Sequence, residues 1–310
     1  MVDEAEPSLD IICIGEPMVE FNEQSPALFQ QGFGGDTSNC AIAAARQGAW
    51  VGYLTALGCD VFGDRLMALW AAENVDASHV QRDSEHFTGH YFVTHDEDGH
   101  VFTYHRAGSA ASCMRADDLP QAYLRSAKFL HVSAISQAIS ESASQCVLHA
   151  MAIARSAGVR VAYDTNLRLQ LWSLSRAQEV IHDALALSDI ALPGFDDATK
   201  LTGLQEPDDI VDFYQALGPS VVALSLGADG VLVADGDRRE HIAGHTVAAI
   251  DATAAGDTFD GAFLSRLAAG ADAFAAARHA NAAAALSTTG YGAVAPMPTR
   301  AQTEAFLAGV

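Results

Sequence analysis

Strand and helix patterns alternate along the chain from residue 128 onward. Apolar runs at 129–135, 159–164, 190–192 and 221–226 are typical of buried strands, and helical patterns lie between them. This alternation predicts a parallel sheet covered by helices, because parallel strands need a crossover connection that packs back onto the sheet. Ligands of such sheets bind beyond the carboxyl ends of the strands, so a functional site is expected there.

The charge of the chain excludes several classes of partner. Its 310 residues, half of them apolar, suffice for one extended α/β domain or two smaller ones. With 39 acidic against 17 basic residues the formal net charge is −22, so we expect no nucleic acid and no anionic membrane as partner. No Gly-Lys dipeptide occurs, which excludes a Walker-type phosphate loop. Any phosphate must be held by backbone amides, arginine or a metal ion.

The cysteines and the N-terminus bear on the compartment. Cys13, Cys40, Cys59, Cys113 and Cys146 are odd in number, widely spaced and without a Cys-x-x-Cys pair, so neither a disulfide framework nor a zinc site is expected. The N-terminus is acidic, and no apolar run approaches the roughly 20 residues that span a bilayer. We therefore expect reduced thiols in a soluble cytoplasmic protein.

A hairpin is predicted at 88–106, where residues alternate on both sides of the turn Asp96-Glu97-Asp98-Gly99. Residues 18–33 also show short strand patterns. The two segments together predict a small β-sheet separate from the main one. Tyr104 and Arg106 fall on the same face of the hairpin, because alternate residues of a strand point the same way.

The stretch 251–261, Asp-Ala-Thr-Ala-Ala-Gly-Asp-Thr-Phe-Asp-Gly, opens a helix that runs to about residue 267. The small residues Ala254, Ala255 and Gly256 let a polyanion approach the backbone, and the first N–H groups of a helix have no partner within it. They predict an anion hole. Asp257 follows it, where a carboxylate could accept a proton from an attacking hydroxyl. Simple complementation of the helix dipole is the alternative interpretation of Asp257.

The same stretch resembles the C-terminal signature of the ribokinase-like (pfkB-type) sugar kinases, usually written Asp-Thr-x-Gly-Ala-Gly-Asp. Positions 251, 255, 256 and 257 match it, while Ala252 replaces the threonine and Ala254 a glycine. The resemblance implies a doubly wound α/β domain at 8–310, with a mostly parallel sheet, helices on both faces and a β lid built from about 16–33 and 87–106. It also implies ATP and Mg²⁺, with Asp257 as the base of phosphoryl transfer.

A glycine turn before the first Ala-rich helix is similar to the sugar-binding turn of that family. The resemblance implies that Gly35, Asp36 and Asn39 contact sugar hydroxyls. A dinucleotide-binding turn is the alternative, but Gly32-x-Gly34-x-x-Thr37 lacks the third glycine, and no long buried strand precedes it.

Two later segments resemble the nucleotide and metal regions of the family. The first implies ATP binding by Ser225, Gly227, Gly230 and Asn281, although Asn281 could also be an ordinary amide on a helix surface. Residues 192–197 resemble the Asn-x-x-Glu region that influences magnesium, with glycine in place of Asn and Asp197 in place of Glu. Asp197 is therefore the candidate metal residue.

Segments 34–36, 104–110 and 164–168 resemble the 2-keto-3-deoxygluconate kinases within the family. They imply substrate contacts by Tyr91, Tyr104, Arg106 and Arg168; a solvated side chain is the alternative for Arg168. An acidic protein needs cations at its site to bind an anion, and an arginine fork matches a carboxylate.

We therefore expect ATP-dependent phosphorylation of the terminal hydroxyl of 2-keto-3-deoxygluconate. A kinase of fructose or ribose, a non-catalytic nucleotide or sugar sensor and an NAD-dependent dehydrogenase are the alternatives. A homodimer that pairs through the lid edges is also expected, because unpaired strand edges invite partners.

Overall fold

The computed structural model describes residues 9–96 and 99–309. The strands are β1 (Leu9–Ile14), β2 (Met18–Ser25), β3 (Leu28–Gly34), β4 (Val51–Leu54), β5 (Ala56–Gly58), β6 (Val75–Asp76), β7 (Gln81–Asp83), β8 (His90–Asp96), β9 (Gly99–His105), β10 (Ala127–Ser133), β11 (Arg160–Asp164), β12 (Ile190–Leu192), β13 (Val221–Ser225), β14 (Val231–Asp235) and β15 (Arg238–Ile242). The predicted turn residues Glu97 and Asp98, and the predicted domain limits Ser8 and Val310, lie outside the described residues.

Several helices begin where a short polar side chain accepts one or more of the first free amides. Asp60 caps α2 through the amides of residues 62 and 63, Ser140 caps α5 and Asp272 caps α10. The α-helices are α1 (Asp36–Arg46), α2 (Val61–Ala72), α3 (Gln121–Leu124), α4 (Ala134–Ala138), α5 (Glu141–Ser156), α6 (Leu174–Leu185), α7 (Phe195–Thr202), α8 (Pro207–Leu217), α9 (Ala255–Ala268), α10 (Ala273–Ser287) and α11 (Arg300–Gly309).

The main sheet has the strand order β15-β14-β13-β12-β11-β10-β1-β4-β6 within the described ranges. All pairs from β13 to β6 are parallel, which confirms the mostly parallel sheet. The edge strands β14 and β15 are antiparallel and depart from strict strand-helix alternation. Gly236 in their tight turn has a φ of 56°, which glycine adopts without steric cost.

Helices cover both faces of this sheet, as the fold class requires. Alternate residues of β1 fall in two cores: Ile12 and Ile14 pack with apolar residues of α5, α6 and α8, and Ile11 and Cys13 with those of α1, α9 and α10. Since the central strands are parallel, the carboxyl ends of β1, β10, β11, β12 and β13 share one edge.

The predicted separate small sheet is confirmed. Its order is β3-β2-β8-β9, with β2 antiparallel to β3 and parallel to β8, and β8 antiparallel to β9. We call this sheet the lid. The chain enters it directly after β1 and again before β8, so the lid is discontinuous in sequence.

Other expectations concern the cysteines and the membrane. All five cysteines are free thiols. Among the helices of the described chain, none combines the length and hydrophobicity that crossing a bilayer demands.

Helices α1 and α9 lie unusually close together at Gly261. A Cβ at this position would meet the carbonyl oxygen of Cys40 and come within 2.7 Å of the Ala44 amide nitrogen. The contact is to backbone, which cannot rotate away. Gly261 is therefore what allows α9 to lie directly on α1.

We predict that Gly261→Ala lowers the free energy of unfolding by about 1–3 kcal/mol, because overpacking outweighs the gain in helix propensity. Urea denaturation measures this. Gly256→Ala in the same helix is the matched control, since nothing lies within 4 Å of its added Cβ; it should be neutral or slightly stabilising. Equal midpoints for the two variants would contradict the close approach.

Candidate active site

A cleft of about 950 Å³ lies between the lid and the carboxyl edge of the main sheet. It is bounded by the lid, by the N-termini of α1 and α9, and by the segments that follow β11 and β12. Most of the predicted site residues line it: Gly35, Asp36, Asn39, Tyr91, Tyr104, Arg106, Arg168, Asp197, Ser225, Ala254, Ala255, Gly256 and Asp257. The fold thus brings together residues that are distant in sequence.

Asp257 lies in the first turn of α9 and is held from α1. Its Oδ2 accepts a hydrogen bond of 2.8 Å from Nδ2 of Asn39. Burial and the nearby carboxylate of Asp36 raise the pKa of Asp257 to about 7, although Asn39 and the charge of Arg168 oppose the shift. A carboxyl group with a pKa near neutrality is suited to exchange protons at physiological pH.

The start of α9 provides free backbone donors. Ala254 has a φ of 60° and no side chain caps the helix. The amide of Ala255 donates to the carbonyl oxygen of Ala252 at 3.2 Å, so this part of the predicted anion hole serves the turn itself. Among the described residues, none accepts a hydrogen bond from the amides of Gly256 and Asp257. These two amides are therefore free to donate to a ligand, with the positive end of the helix dipole behind them.

Asp36 begins α1 and is fixed by three donors. Its carboxylate accepts from the hydroxyl of Ser133, from Nδ2 of Asn166 at 3.2 Å and from the amide of Thr37 at 2.8 Å. Gly35 before it has a φ of 101°, where a side chain would be strained. The turn therefore presents an ordered carboxylate to the cleft, next to Asp257.

The lid contributes aromatic rings and one arginine. Tyr91 and Tyr104 are cross-strand partners with ring centroids 5.5 Å apart, and Tyr91 donates to Oε2 of Glu20 at 2.6 Å. Arg106, at the end of β9, forms an ion pair with the buried Glu16. The hydroxyl of Tyr91 is therefore already engaged, whereas the arginine retains free donors.

A second cationic group follows β11. Arg168 is about half exposed, donates to the carbonyl oxygen of Leu167 at 3.0 Å and lies 3.9 Å from Asp197. Asp197 also accepts from the Leu167 amide at 3.0 Å and lies 3.7 Å from Lys200. Asp197 thus orders this loop and is surrounded by cations. In the described chain, no group of three or more His, Cys, Asp or Glu side chains could hold a metal ion.

The predicted nucleotide residues are only partly in the cleft. Ser225 lines it, but Gly227 and Gly230 do not. A Cβ on Gly230 would lie 2.6 Å from the Gly244 nitrogen, so packing against the segment after β15 already requires glycine there. Asn281 is buried, not a surface amide, and its Nδ2 donates to the Ala243 carbonyl oxygen at 2.8 Å.

Three carboxyl groups of the cleft were missed by the sequence analysis. Asp164 ends β11, Asp260 lies one helical turn after Asp257, and Glu16 follows β1. Burial first, and then neighbouring carboxylates, raise the pKa of both Asp164 and Asp260. The i+3 spacing of Asp260 from Asp257, and the position of Glu16 directly after a buried strand, are signals that could have identified them.

Comparison with known proteins agrees with this geometry. The sequence profile of the "pfkB family carbohydrate kinase" matches residues 8–300. The 2-dehydro-3-deoxygluconokinase of Bacillus subtilis is 32% identical, covering 96% of this chain and 95% of that protein. The enzyme of the same name from Escherichia coli K12 is 33% identical, and the match covers 93% of this chain and 98% of that protein. A PfkB protein from Polaromonas sp. JS666, known from its crystal structure, is 34% identical in sequence and superposes with a TM-score of 0.87. The match covers 96% of this chain and 99% of that one. The chain belongs to the pfkB family of carbohydrate kinases.

Proposed function

We propose that this protein transfers the γ-phosphoryl group of ATP to the terminal hydroxyl of 2-keto-3-deoxygluconate, the compound also called 2-dehydro-3-deoxygluconate. The observation that carries the proposal is the pair Arg106 and Arg168, which reach one cleft from the lid and from the main sheet. The names of the B. subtilis and E. coli relatives support the same substrate.

Charge favours an anionic sugar over a neutral one. The residues that line the cleft include six acidic ones, Glu16, Asp36, Asp164, Asp197, Asp257 and Asp260. On a protein of net charge −22, cations placed at this cleft favour anionic ligands. The phosphates of the nucleotide account for some of these cations. A carboxylate on the acceptor sugar would account for Arg106, the arginine on the lid.

The nucleotide phosphates fit the start of α9. The amides of Gly256 and Asp257 are free donors there, and the hydroxyl of Ser225 and the ammonium of Lys200 line the same cleft. Bound Mg²⁺ supplies charge neutralisation on the phosphates. Among the described residues, no group of three or more His, Cys, Asp or Glu side chains could hold the ion, so it would rely mainly on phosphate and water oxygens. The roles of Asp197 toward the ion, and of Gly227, Gly230 and Asn281 toward the nucleotide, stay predictions.

The chemistry needs one base and fixed geometry. The acceptor hydroxyl oxygen forms a bond to the γ-phosphorus, the bond from that phosphorus to the bridging oxygen breaks, and the hydroxyl proton passes to Asp257. Asn39 holds the carboxylate in place, while Gly35 and Asp36 bind sugar hydroxyls. The free amides at the α9 start meet the charge that develops on the transferred group.

The alternatives differ in what they require. A kinase of fructose or ribose would use Asp257 in the same way but would have no need for Arg106. A non-catalytic sensor would have no need for a carboxyl group whose pKa is shifted to near neutrality.

A cytoplasmic location, expected together with reduced thiols, stays a prediction.

We also propose that two copies pair through their lids. In the part of the chain that the structure describes, β3 and β9 pair on one side only, and Leu28 and Val101 are exposed there. Light scattering on the purified protein would give twice the monomer mass; a monomer at every concentration would refute the pairing.

We predict that Asp257→Asn folds and binds ATP but loses about 10² to 10⁴ in turnover, because the amide keeps the shape and removes the base. ADP release measures turnover, and calorimetric titration with ATP is the control for binding. Near wild-type turnover in Asp257→Asn would leave Asp257 as a helix-terminal charge.

We predict that kcat/KM of the wild type rises with pH through about 7, where Asp257 loses its proton. Arg168→Ala should move that inflection to higher pH, since a nearby cation stabilises the carboxylate.

We predict that kcat/KM is highest for the keto acid in a panel of sugars and sugar acids with ATP. Arg106→Ala and Arg168→Ala should each weaken keto-acid use about tenfold to a hundredfold and leave ATP binding intact, because a charge-assisted hydrogen bond contributes roughly 1.5–3 kcal/mol. Arg176→Ala, at an exposed arginine outside the cleft, is the control. Preference for fructose, ribose or a nucleoside would refute the substrate, although the protein would still be a kinase.

A further inference from the structure

Glu16 is a fully buried carboxylate at the point where the chain leaves the main sheet for the lid. Its side chain has no exposed surface, and burial raises its pKa. A buried carboxylate is costly unless charged and polar partners surround it. Two residues after β1 and two before β2, it sits where the lid joins the rest of the protein.

Glu16 contacts both places where the second lid segment meets the body of the protein. Oε2 accepts from Nε and Nη2 of Arg106 at 2.8 and 2.5 Å, and Oε1 accepts from the hydroxyl of Ser109 at 2.7 Å. On the other side, a Cβ on Gly89 would lie 2.8 Å from Oε1, so the backbone there approaches the carboxylate closely. Glu16 is thus hydrogen-bonded to the chain that follows the β8–β9 hairpin and packs closely against the backbone that precedes it.

The ion pair occupies only one side of the guanidinium of Arg106. A guanidinium has one fork at Nε and Nη2 and a second at Nη1 and Nη2. Glu16 takes the first, and no described residue accepts a hydrogen bond from Nη1. Tyr104 supports the group as well, with its ring centroid 5.4 Å from Cζ. The second fork remains for a ligand in the cleft that Arg106 lines.

The ion pair of Arg46 and Glu73 is a purely structural counterpart of the Arg106–Glu16 pair in the same molecule. Arg46 uses the same two donors, with Nε bonded to Oε2 of Glu73 at 2.8 Å and Nη2 to Oε1 at 2.7 Å, whereas both donors of Arg106 share one oxygen of Glu16. Its Nη1, however, donates to the carbonyl oxygens of Val294 and Met297, both at 2.8 Å. Every fork of Arg46 is filled by protein, whereas Arg106 has one fork without a protein acceptor.

We propose that Glu16 is a positioning residue for substrate specificity: it holds one fork of Arg106 so that the other is presented, already ordered, to the carboxylate of the substrate. This rests on the proposed keto-acid function. Holding the arginine in advance removes the loss of rotamer entropy that a free arginine suffers on binding. Glu16 itself makes no contact with substrate and acts through Arg106.

The test is a double-mutant cycle on the full-length protein. Glu16→Gln keeps the shape of the side chain and removes its charge, so Arg106 loses its ionic partner. We expect the KM for the keto acid to rise about tenfold, while kcat at saturating keto acid falls by less than about threefold and the KM for ATP is unchanged. In the Arg106→Ala background, Glu16→Gln should have no further effect on the KM for the keto acid. Glu73→Gln is the matched control and should leave all three constants unchanged.

Each outcome bears on the proposal. If the effects of Glu16→Gln and Arg106→Ala multiply, or if Glu16→Gln raises both KM values equally, Glu16 acts on general architecture and the inference is overturned. Ser109→Ala covers the case that Glu16→Gln does not fold; it keeps the ion pair, removes the donor to Oε1 and should raise the KM for the keto acid by a smaller factor. An unchanged KM in Ser109→Ala would also count against Glu16. If the wild type does not use the keto acid, the proposed function fails instead.

Discussion

The direct packing of α9 on α1 is the constraint on which the site depends. Gly261 lets the two helices approach until backbone meets backbone, and this brings Asn39 of α1 within 2.8 Å of Asp257 of α9. The same contact sets the start of α9, with its free amides, against the carboxyl edge of the sheet. A carboxylate that is to act as a base has to be held rigidly. Here two helices that are more than two hundred residues apart in sequence hold the carboxylate of Asp257 between them.

Crowding of carboxyl groups is the electrostatic consequence. Asp36, Asp164 and Asp260 all surround Asp257, and the cations near them are few. Burial, and then repulsion between neighbouring carboxylates, raise the pKa values of Asp164, Asp257 and Asp260. In such a site the proposed anions would be bound through donors of fixed direction, helix amides on one side and arginine forks on the other. The position and direction of these few donors, together with the net charge of the protein, therefore determine which ligands fit.

The sequence predicted those parts of the molecule that local pattern determines. The apolar runs became parallel strands, the Gly-rich stretches became turns before α1 and α9, and Asp36, Asn39 and Asp257 do meet in one cleft. It did not predict what depends on distant contacts. The amide of Ala255 is used by its own turn, and Gly230 is required by Gly244, which no local pattern records. The antiparallel edge was missed because β14 and β15 follow β13 through short turns, without the crossover helix that strand-helix alternation requires.

In the proposed complex, two different parts of the protein bind the two ends of the acceptor: the lid binds one end and the main sheet the other. Arg106 directly follows β9, the last strand of a sheet that the chain enters twice, while Asp257 and the α9 amides belong to the layer beneath it. An acceptor with a carboxylate at one end and a hydroxyl at the other would touch both bodies at once. Binding energy from the remote carboxylate would then hold such an acceptor in the cleft and lower its KM, with its hydroxyl against Asp257. A neutral sugar would leave the lid arginine unfilled and bind more weakly, so specificity would arise mainly from the binding of the acceptor.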